Sequence, residues 1–277
     1  MRPQYGPKPR GGEIIVVDDG SEVAAQHVLG AFAEQVVVVS NPGQKGASAA
    51  RNHGVSVARG EIVFFLDDDD ELVETYCERV LKAYCSEARP RYGFSSFSLV
   101  QQGEQPRIIQ QRARGGVIAA SDSLKSKLAG LGMGFWVERS LFTDVGALDP
   151  DLVIDEDTCL CIRLALRQSA GWYEAVPGVV VHRDGSDGLT TTTATGAAAK
   201  AYTRTLQKYA PYFPGFSRAR WFLATRAARM AGRAHSLKLS LEVAGHARNI
   251  VISACCLAIS LVKALREIFR TRRSPAR

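Results

Sequence analysis

The sequence predicts an α/β protein, a doubly wound and mostly parallel sheet with a helical C-terminal extension. Three observations carry this prediction. β-Branched runs alternate with helix-like stretches between Glu13 and Glu87, the order that builds parallel sheets. Two of these runs stop in acidic turns, Asp18-Asp19 and Asp67-Asp68-Asp69-Asp70, and ligands of such sheets collect at the carboxyl ends of strands. From Ala197 onward the pattern is helical, and basic residues gather toward the end of the chain.

Residues 1–12, rich in Pro, Gly and basic groups, read as a loose lead-in. Glu13-Ile14-Ile15-Val16-Val17 suits a buried parallel strand stopped by Asp18-Asp19-Gly20-Ser21. Residues 22–35 read as a helix, Val36–Val39 as a second strand and Asn41-Pro42-Gly43 as a turn. Ala47–Arg59 has small residues at helical spacing, with Gly60 as its stop. Glu61–Leu66 is a third apolar strand running into the four aspartates. Glu71–Glu87 is an amphipathic helix with Tyr76, Cys77, Val80, Leu81 and Tyr84 on one face. Further on, Tyr92–Val100 and Phe135–Glu138 look like strands, and 101–116 like a loop or hairpin. Asp157–Gln168 reads as a helix, Val176–His182 as a strand and Asp184–Thr195 as a polar loop. Three regions result: the lead-in 1–12, an α/β domain 13–196, and a basic helical region 197–277.

With 277 residues, 46% of them hydrophobic and 23% charged, the chain can bury a full core and is neither disordered nor a coiled coil. The net charge of +7 is unevenly spread. From Phe216 onward 13 basic residues face two acidic ones, Glu242 and Glu267, whereas the preceding part holds 22 basic and 26 acidic. Such a tail points to an anionic surface, and no recognition motif for nucleic acid accompanies it. Within the tail, Asn249–Val262 is uncharged and mostly apolar over 14 residues, short of the about 20 that span a bilayer. Lys263, Arg266, Arg270, Arg272, Arg273 and Arg277 follow it. An apolar helix with cationic flanks reads as lying in a membrane interface, with packing onto the rest of the chain as the alternative. None of the six cysteines has CxxC spacing, so buried thiols in a reducing compartment are expected. The start, MRPQYGPKPRGG, has no apolar signal region. A cytoplasmic protein, peripheral on the inner face of the cell membrane, is the resulting expectation.

Four adjacent carboxylates repel one another unless water or a cation offsets the charge. A hard divalent ion, held by one or two carboxylates plus substrate phosphates, is a natural partner. A solvated acidic turn at the start of the next helix is the alternative. The second acidic cluster, Asp155-Glu156-Asp157, suits either a general base or a helix N-terminus.

The surrounding segments sharpen both readings. EIIVVDDGS (13–21), NPGQKGASAARNHGVSVARGEIVFFLDDDD (41–70), GFWVERSLFTDVGALDPDL (134–152) and EDTCLCIRLA (156–165) occur in this order. Together they resemble glycosyltransferase family 2, inverting nucleotide-sugar transferases of the Rossmann-like GT-A fold. The resemblance spans about residues 13–190. It implies that Asp19 hydrogen-bonds the nucleotide base, a role for which an Asx-type turn by Asp18 or Asp19 is the alternative. It places Arg51 near the nucleotide, Asp68 toward the ribose or sugar, and Asp67, Asp68 and Asp69 on the DxD element. Asp69 would contact Mg²⁺ or Mn²⁺, and Asp157 would be the general base. Cys159 stands where the family usually has an acidic residue. His182 reads as a structural histidine, although some family members use a nearby histidine as a further ligand. Trp136 suits sugar stacking and a buried core equally.

Family members begin with a strand, turn and helix that have no counterpart in the 12 residues before Glu13, although Gln4-Tyr5 resembles the end of that helix and loop. The chain therefore looks shortened, with one wall of the base pocket absent and a sheet surface exposed. Two functions follow. The first is transfer of a sugar from a nucleotide-diphosphate sugar to a saccharide or lipid-linked acceptor, in cell-surface polysaccharide or glycolipid synthesis. The alternative is a non-catalytic remnant serving as a membrane-associated binding or scaffold protein. A nucleotidyltransferase fits the residues near Asp157 less well. Loops 101–133 and 184–196 would select sugar and acceptor.

Overall fold

A computed structural model describes residues 11–101, 103–183 and 195–273. Most of the lead-in, including Gln4-Tyr5, nearly all of the polar loop 184–196, and Arg277 lie outside the described residues. Contacts divide the chain into two compact units: Met1–Asp122 with Ser126–Gly185, and Ser123–Lys125 with Ser186–Arg277.

The first unit begins with β1 (Ile15–Asp18), α1 (Ala25–Leu29) continuing as a 3₁₀ turn (Gly30–Gln35), β2 (Val37–Ser40) and α2 (Ala47–Val57). β1 and β2 pair in parallel, as their β-branched runs predict. The expected helix over 22–35 is shorter because Gly30, at φ 53°, breaks it. α2 ends at Val57, three residues before the expected glycine stop. Ile14, Val28, Phe32 and Val37 are exposed in this region.

β3 (Ile62–Phe64), β4 (Glu71–Leu72), α3 (Tyr76–Tyr84), β5 (Tyr92–Gln101), β6 (Arg107–Ile109) and β7 (Gly116–Ile118) follow. The unit closes with α4 (Leu124–Lys127), β8 (Trp136–Glu138), α5 (Arg139–Asp144), α6 (Glu156–Leu166) and β9 (Gly171–Arg183). The seven-stranded sheet runs β3-β8-β5-β9-β4, with β6 on β5 and β7 on β9. Only β5–β9 pairs in parallel in this sheet; β3–β8, β5–β8, β4–β9, β5–β6 and β7–β9 are antiparallel. The α/β class is as predicted, and the sheet is mixed rather than mostly parallel. Strand–helix alternation governs the chain only as far as α3. Beyond it, β5 turns back directly into β6, and a short connection of this kind permits only antiparallel pairing.

Helices cover both faces of this sheet, and the two-residue period of β8 shows how. Phe135 and Val137 enter a core shared with Leu160 and Leu164 of α6, while Trp136 points the other way, against Tyr76 and Val80 of α3. Burying each of these large side chains contributes roughly 1.5–3 kcal/mol. Trp136 is therefore a core residue with no exposed surface, and its stacking role is excluded.

The second unit holds α7 (Thr195–Tyr209), a 3₁₀ turn (Ala210–Tyr212), α8 (Arg218–Arg233), α9 (Leu237–His246) and α10 (Ile250–Arg273). Ser217 and Ser236 cap α8 and α9 by accepting from Arg220 N and Leu239 N. Ala224, Ala227, Ala228, Ala231 and Gly232 line the buried side of α8. These small residues let α10 come close: a Cβ on Gly232 would lie 2.3 Å from the Ser260 carbonyl oxygen. Ser260 Oγ donates to the Ala228 carbonyl at 2.9 Å. Among the described residues no helix is long and apolar enough to cross a membrane.

Candidate active site

All six residues singled out in the sequence, Asp19, Arg51, Asp67, Asp68, Asp69 and Asp157, lie in the first unit. The two aspartates that end β1 divide their work. Asp18 accepts from Gly20 N and Ser21 N through Oδ1 and from Ala25 N through Oδ2, each at 2.9 Å. The backbone donors, Ser21 first, hold its carboxyl down at about 2. Asp18 is thus the turn former. Asp19 faces the other way, accepting from Asn41 Nδ2 at 2.6 Å and from Gly46 N at 2.7 Å. It ties the end of β1 to the loop that opens α2. Lys45, which the sequence reading overlooked, lies over this turn and donates to the Gly20 carbonyl at 3.4 Å. Gly20 suits this turn because its φ is +90°, a conformation that favours glycine.

Arg51, on α2, joins the two acidic clusters. One guanidinium nitrogen donates to Asp67 Oδ1 at 2.5 Å, and the other lies 3.5 Å from Glu156 Oε1. Asp67 follows the end of β3 by three residues, and Glu156 opens α6 beside Asp157. A fixed, planar fork can bridge two carboxylates in this way. Burial, with the neighbouring Asp157 charge, raises the Glu156 carboxyl to about 7 against the pull of Arg51.

Side chains on α2 and in the loop before it hold the chain that leads into α6. Asn52 donates to the Leu148 carbonyl at 2.8 Å and accepts from Leu148 N at 2.9 Å. Ser48 Oγ donates to the Leu152 carbonyl, and Gln44 to that of Pro150. Asp155, buried and at φ 76°, makes the left-handed turn from which α6 starts, a conformation Asp tolerates better than most residues. The Asp157 carboxylate accepts from Thr158 N.

Between the clusters runs Gly130-Leu131-Gly132-Met133-Gly134, a segment whose alternate residues carry no side chain. A Cβ built on Gly132 would lie 2.9 Å from Asp67 Oδ2 and 3.7 Å from Asp70 Oδ2. One on Gly130 would lie 3.5 Å from Asp157 Oδ2. Bare backbone therefore passes both carboxylate groups. Tyr76 OH donates to the Gly134 carbonyl, and Ser95 N to that of Met133, which pins the segment to the sheet.

Within the aspartate run, Asp68 and Asp69 are exposed on a turn closed by Asp70 N donating to the Asp67 carbonyl at 3.2 Å. Asp70 points inward and accepts from His182 N at 3.1 Å. Burial and the charges of Asp69 and Asp67 raise its carboxyl to about 6. The β4–β9 pairing also brings the His182 ring to 3.0 Å from Glu71 Oε1, so this histidine sits beside the run. Among the described residues, no group of three or more His, Cys, Asp and Glu side chains is arranged as a ready metal cage. The donor set nevertheless suits a hard divalent ion: Asp67 and Asp70 turn carboxylate oxygens toward the same glycine, and the exposed Asp69 is adjacent. Such an ion usually takes one or two carboxylates and completes its shell with phosphate and water.

Residues 8–121 match the family model described as Glycosyl transferase family 2. That stretch is similar to glycosyl transferase family 2. The matched region contains Asp19, Arg51 and the aspartate run, while Asp157 lies beyond it. An uncharacterized glycosyltransferase of Haemophilus influenzae is 28% identical over 58% of this chain and 55% of its own. The pre-mycofactocin glycosyltransferase of Mycobacterium tuberculosis is 30% identical over 62% of this chain and 38% of its own. The chain thus spans about half or less of the length of these relatives. Among solved structures, S. aureus TarS 1-349 superposes with a TM-score of 0.61 at 12% identity, covering 95% of this chain and 83% of that one. The same TarS fragment in complex with UDP superposes with a TM-score of 0.55 at 14% identity, over the same shares of both chains. These likenesses show a GT-A fold.

Proposed function

We propose that this chain transfers a sugar from a nucleotide-diphosphate sugar to an acceptor hydroxyl, with inversion at the anomeric carbon. The observation that carries this reading is the Arg51 bridge, which joins the aspartate run that follows β3 to the Asp155–Asp157 cluster at the start of α6, with Gly132 beside the first and Gly130 beside the second. A donor diphosphate against the first cluster and an acceptor hydroxyl at the second suit a single in-line displacement. The UDP bound by S. aureus TarS supports a nucleotide donor.

In this reading Asp19 orients the base, held in place by Asn41 and Gly46. Arg51 and Asp68 serve the nucleotide and sugar, and Asp69 with Asp67 would hold Mg²⁺ or Mn²⁺. The ion would supply Lewis-acid stabilisation of the negative charge on the departing nucleoside diphosphate. Asp157 takes the acceptor's proton as that oxygen bonds to the anomeric carbon and the bond from that carbon to the diphosphate oxygen breaks. The saccharide or lipid-linked acceptor would be met at the inner face of the cell membrane, in cell-surface polysaccharide or glycolipid synthesis.

The test is donor turnover across a panel of nucleotide sugars with Mn²⁺, for the parent and Asp69→Ala. One donor should be consumed by the parent, and at least about a hundredfold more slowly by the variant. Equal rates would overturn the assignment of Asp69. A parent that binds no donor at all would leave the non-catalytic reading.

A further inference from the structure

The exposed face of α10 has no part in the chemistry proposed above. Ile250, Leu257, Leu261 and Leu265 recur at 7, 4 and 4 residues, so they fall on one side of the helix. All are exposed, Ile250 by 86% and Leu261 by 62%. Val251 and Val262, also exposed, widen the stripe. At 1.5 Å per residue it is about 22 Å long. The opposite side of the helix is already occupied: Ile252, Cys256 and Ser260 are buried, and Ser260 bonds to α8. An apolar stripe of this length on a helix that is otherwise packed marks a contact surface.

Charge says what kind of surface covers it. No acidic residue occurs from Asn249 to Arg266. Arg248 is exposed just before the stripe, and Arg266 is exposed at its end beside the half-buried Lys263. The region from Phe216 onward carries thirteen basic residues against two acidic ones. Apolar side chains bracketed by cations complement a layer that is apolar inside and anionic at its rim. We propose that α10 lies flat in the interface of an anionic lipid bilayer, with Ile250, Leu257, Leu261 and Leu265 among the acyl chains and Arg248, Lys263 and Arg266 at the headgroups. The packing on α8 fixes the orientation: only one side of α10 is free to meet lipid, so the helix rests on the membrane and does not cross it.

This proposal stands independently of the sugar chemistry. Its test is flotation of the full chain with phosphatidylcholine vesicles, with and without phosphatidylglycerol, for the parent and the double variant Leu257→Glu/Leu261→Glu. The parent should float with the anionic vesicles, less so as salt rises. The double variant should partition about a hundredfold more weakly, about tenfold for each leucine withheld from the apolar phase. Unchanged far-UV circular dichroism and melting temperature of the variant show that its fold is kept, as expected for exposed positions. Equal flotation of parent and variant would overturn the proposal. So would a parent that ignores anionic vesicles. A parent that is dimeric in light scattering, and made monomeric by the same double substitution, would assign the stripe to a second copy of the chain instead.

Discussion

Replacing Gly132 by alanine should damage the site while leaving the fold standing. The new methyl would lie 2.9 Å from Asp67 Oδ2, whereas ordinary van der Waals contact begins near 3.4 Å, so one group must give by about half an ångström. The segment cannot easily retreat, because Tyr76 and Ser95 pin it two residues and one residue further on, at Gly134 and Met133. Asp67 is the part that moves, and moving it strains or breaks its bond to Arg51. Misplacement by an ångström costs up to about a hundredfold in a positioned reaction, so half that shift predicts a loss of about tenfold in kcat/KM for donor. Gly130→Ala is the matched control. Its methyl would meet Asp157 Oδ2 at 3.5 Å, an ordinary contact, and neither glycine has a positive φ that alanine would resist. Steady-state kinetics on both variants, with melting temperatures, decide the matter. Equal activity in Gly132→Ala and Gly130→Ala would refute the reasoning.

Two further outcomes follow from the same geometry. The Glu156 carboxyl is raised from 4.5 to about 7, so its buried charge works against folding, and the resulting loss of stability develops as pH rises through that window. Glu156→Gln carries no such titration, so urea unfolding at pH 5 and pH 8 should show the variant gaining on the parent at the higher pH by about 1–3 kcal/mol; a constant difference would contradict the raised value. In the helical unit, Gly232→Ala would force a methyl against the Ser260 backbone and should cost about 1–3 kcal/mol in chemical denaturation, and an unchanged midpoint would show that α8 and α10 do not pack so closely.

Much of this architecture is legible in the sequence because it depends on local pattern. β1, β2, α2, β3, β5, β8 and α6 fall within a few residues of the runs that predict them, since each has a pure apolar stretch or a clear helical face. β9 reaches back to Gly171, well before the predicted Val176, because Glu174 and Pro177 break the apolar pattern. The register between β5 and β9 shifts across that stretch, and an irregularity is where a strand tolerates a residue without an N–H. β4 is two residues long and hides in what reads as the start of a helix. The candidate site divides in the same way. Asp19, Arg51, the aspartate run and Asp157 are visible as motifs, but motifs do not say who touches whom. The roles of Glu156, Asn52 and Lys45 emerge only when α2 meets the ends of β1 and β3 and the start of α6. Gly130 and Gly132 lie in a turn closed by Met133 N donating to the Gly130 carbonyl, and what local pattern does not reveal is their close approach to carboxylates far away in the chain.

In the sugar transfer proposed above, Asp157 removes the acceptor's proton. The most direct test is transfer to acceptor by Asp157→Asn, measured beside binding of the donor nucleotide to the same variant. Asparagine keeps the shape of the side chain and cannot accept the proton, so transfer should fall by about 10²–10⁴-fold while nucleotide affinity stays within about twofold of the parent. Transfer at the parental rate by Asp157→Asn would contradict the account.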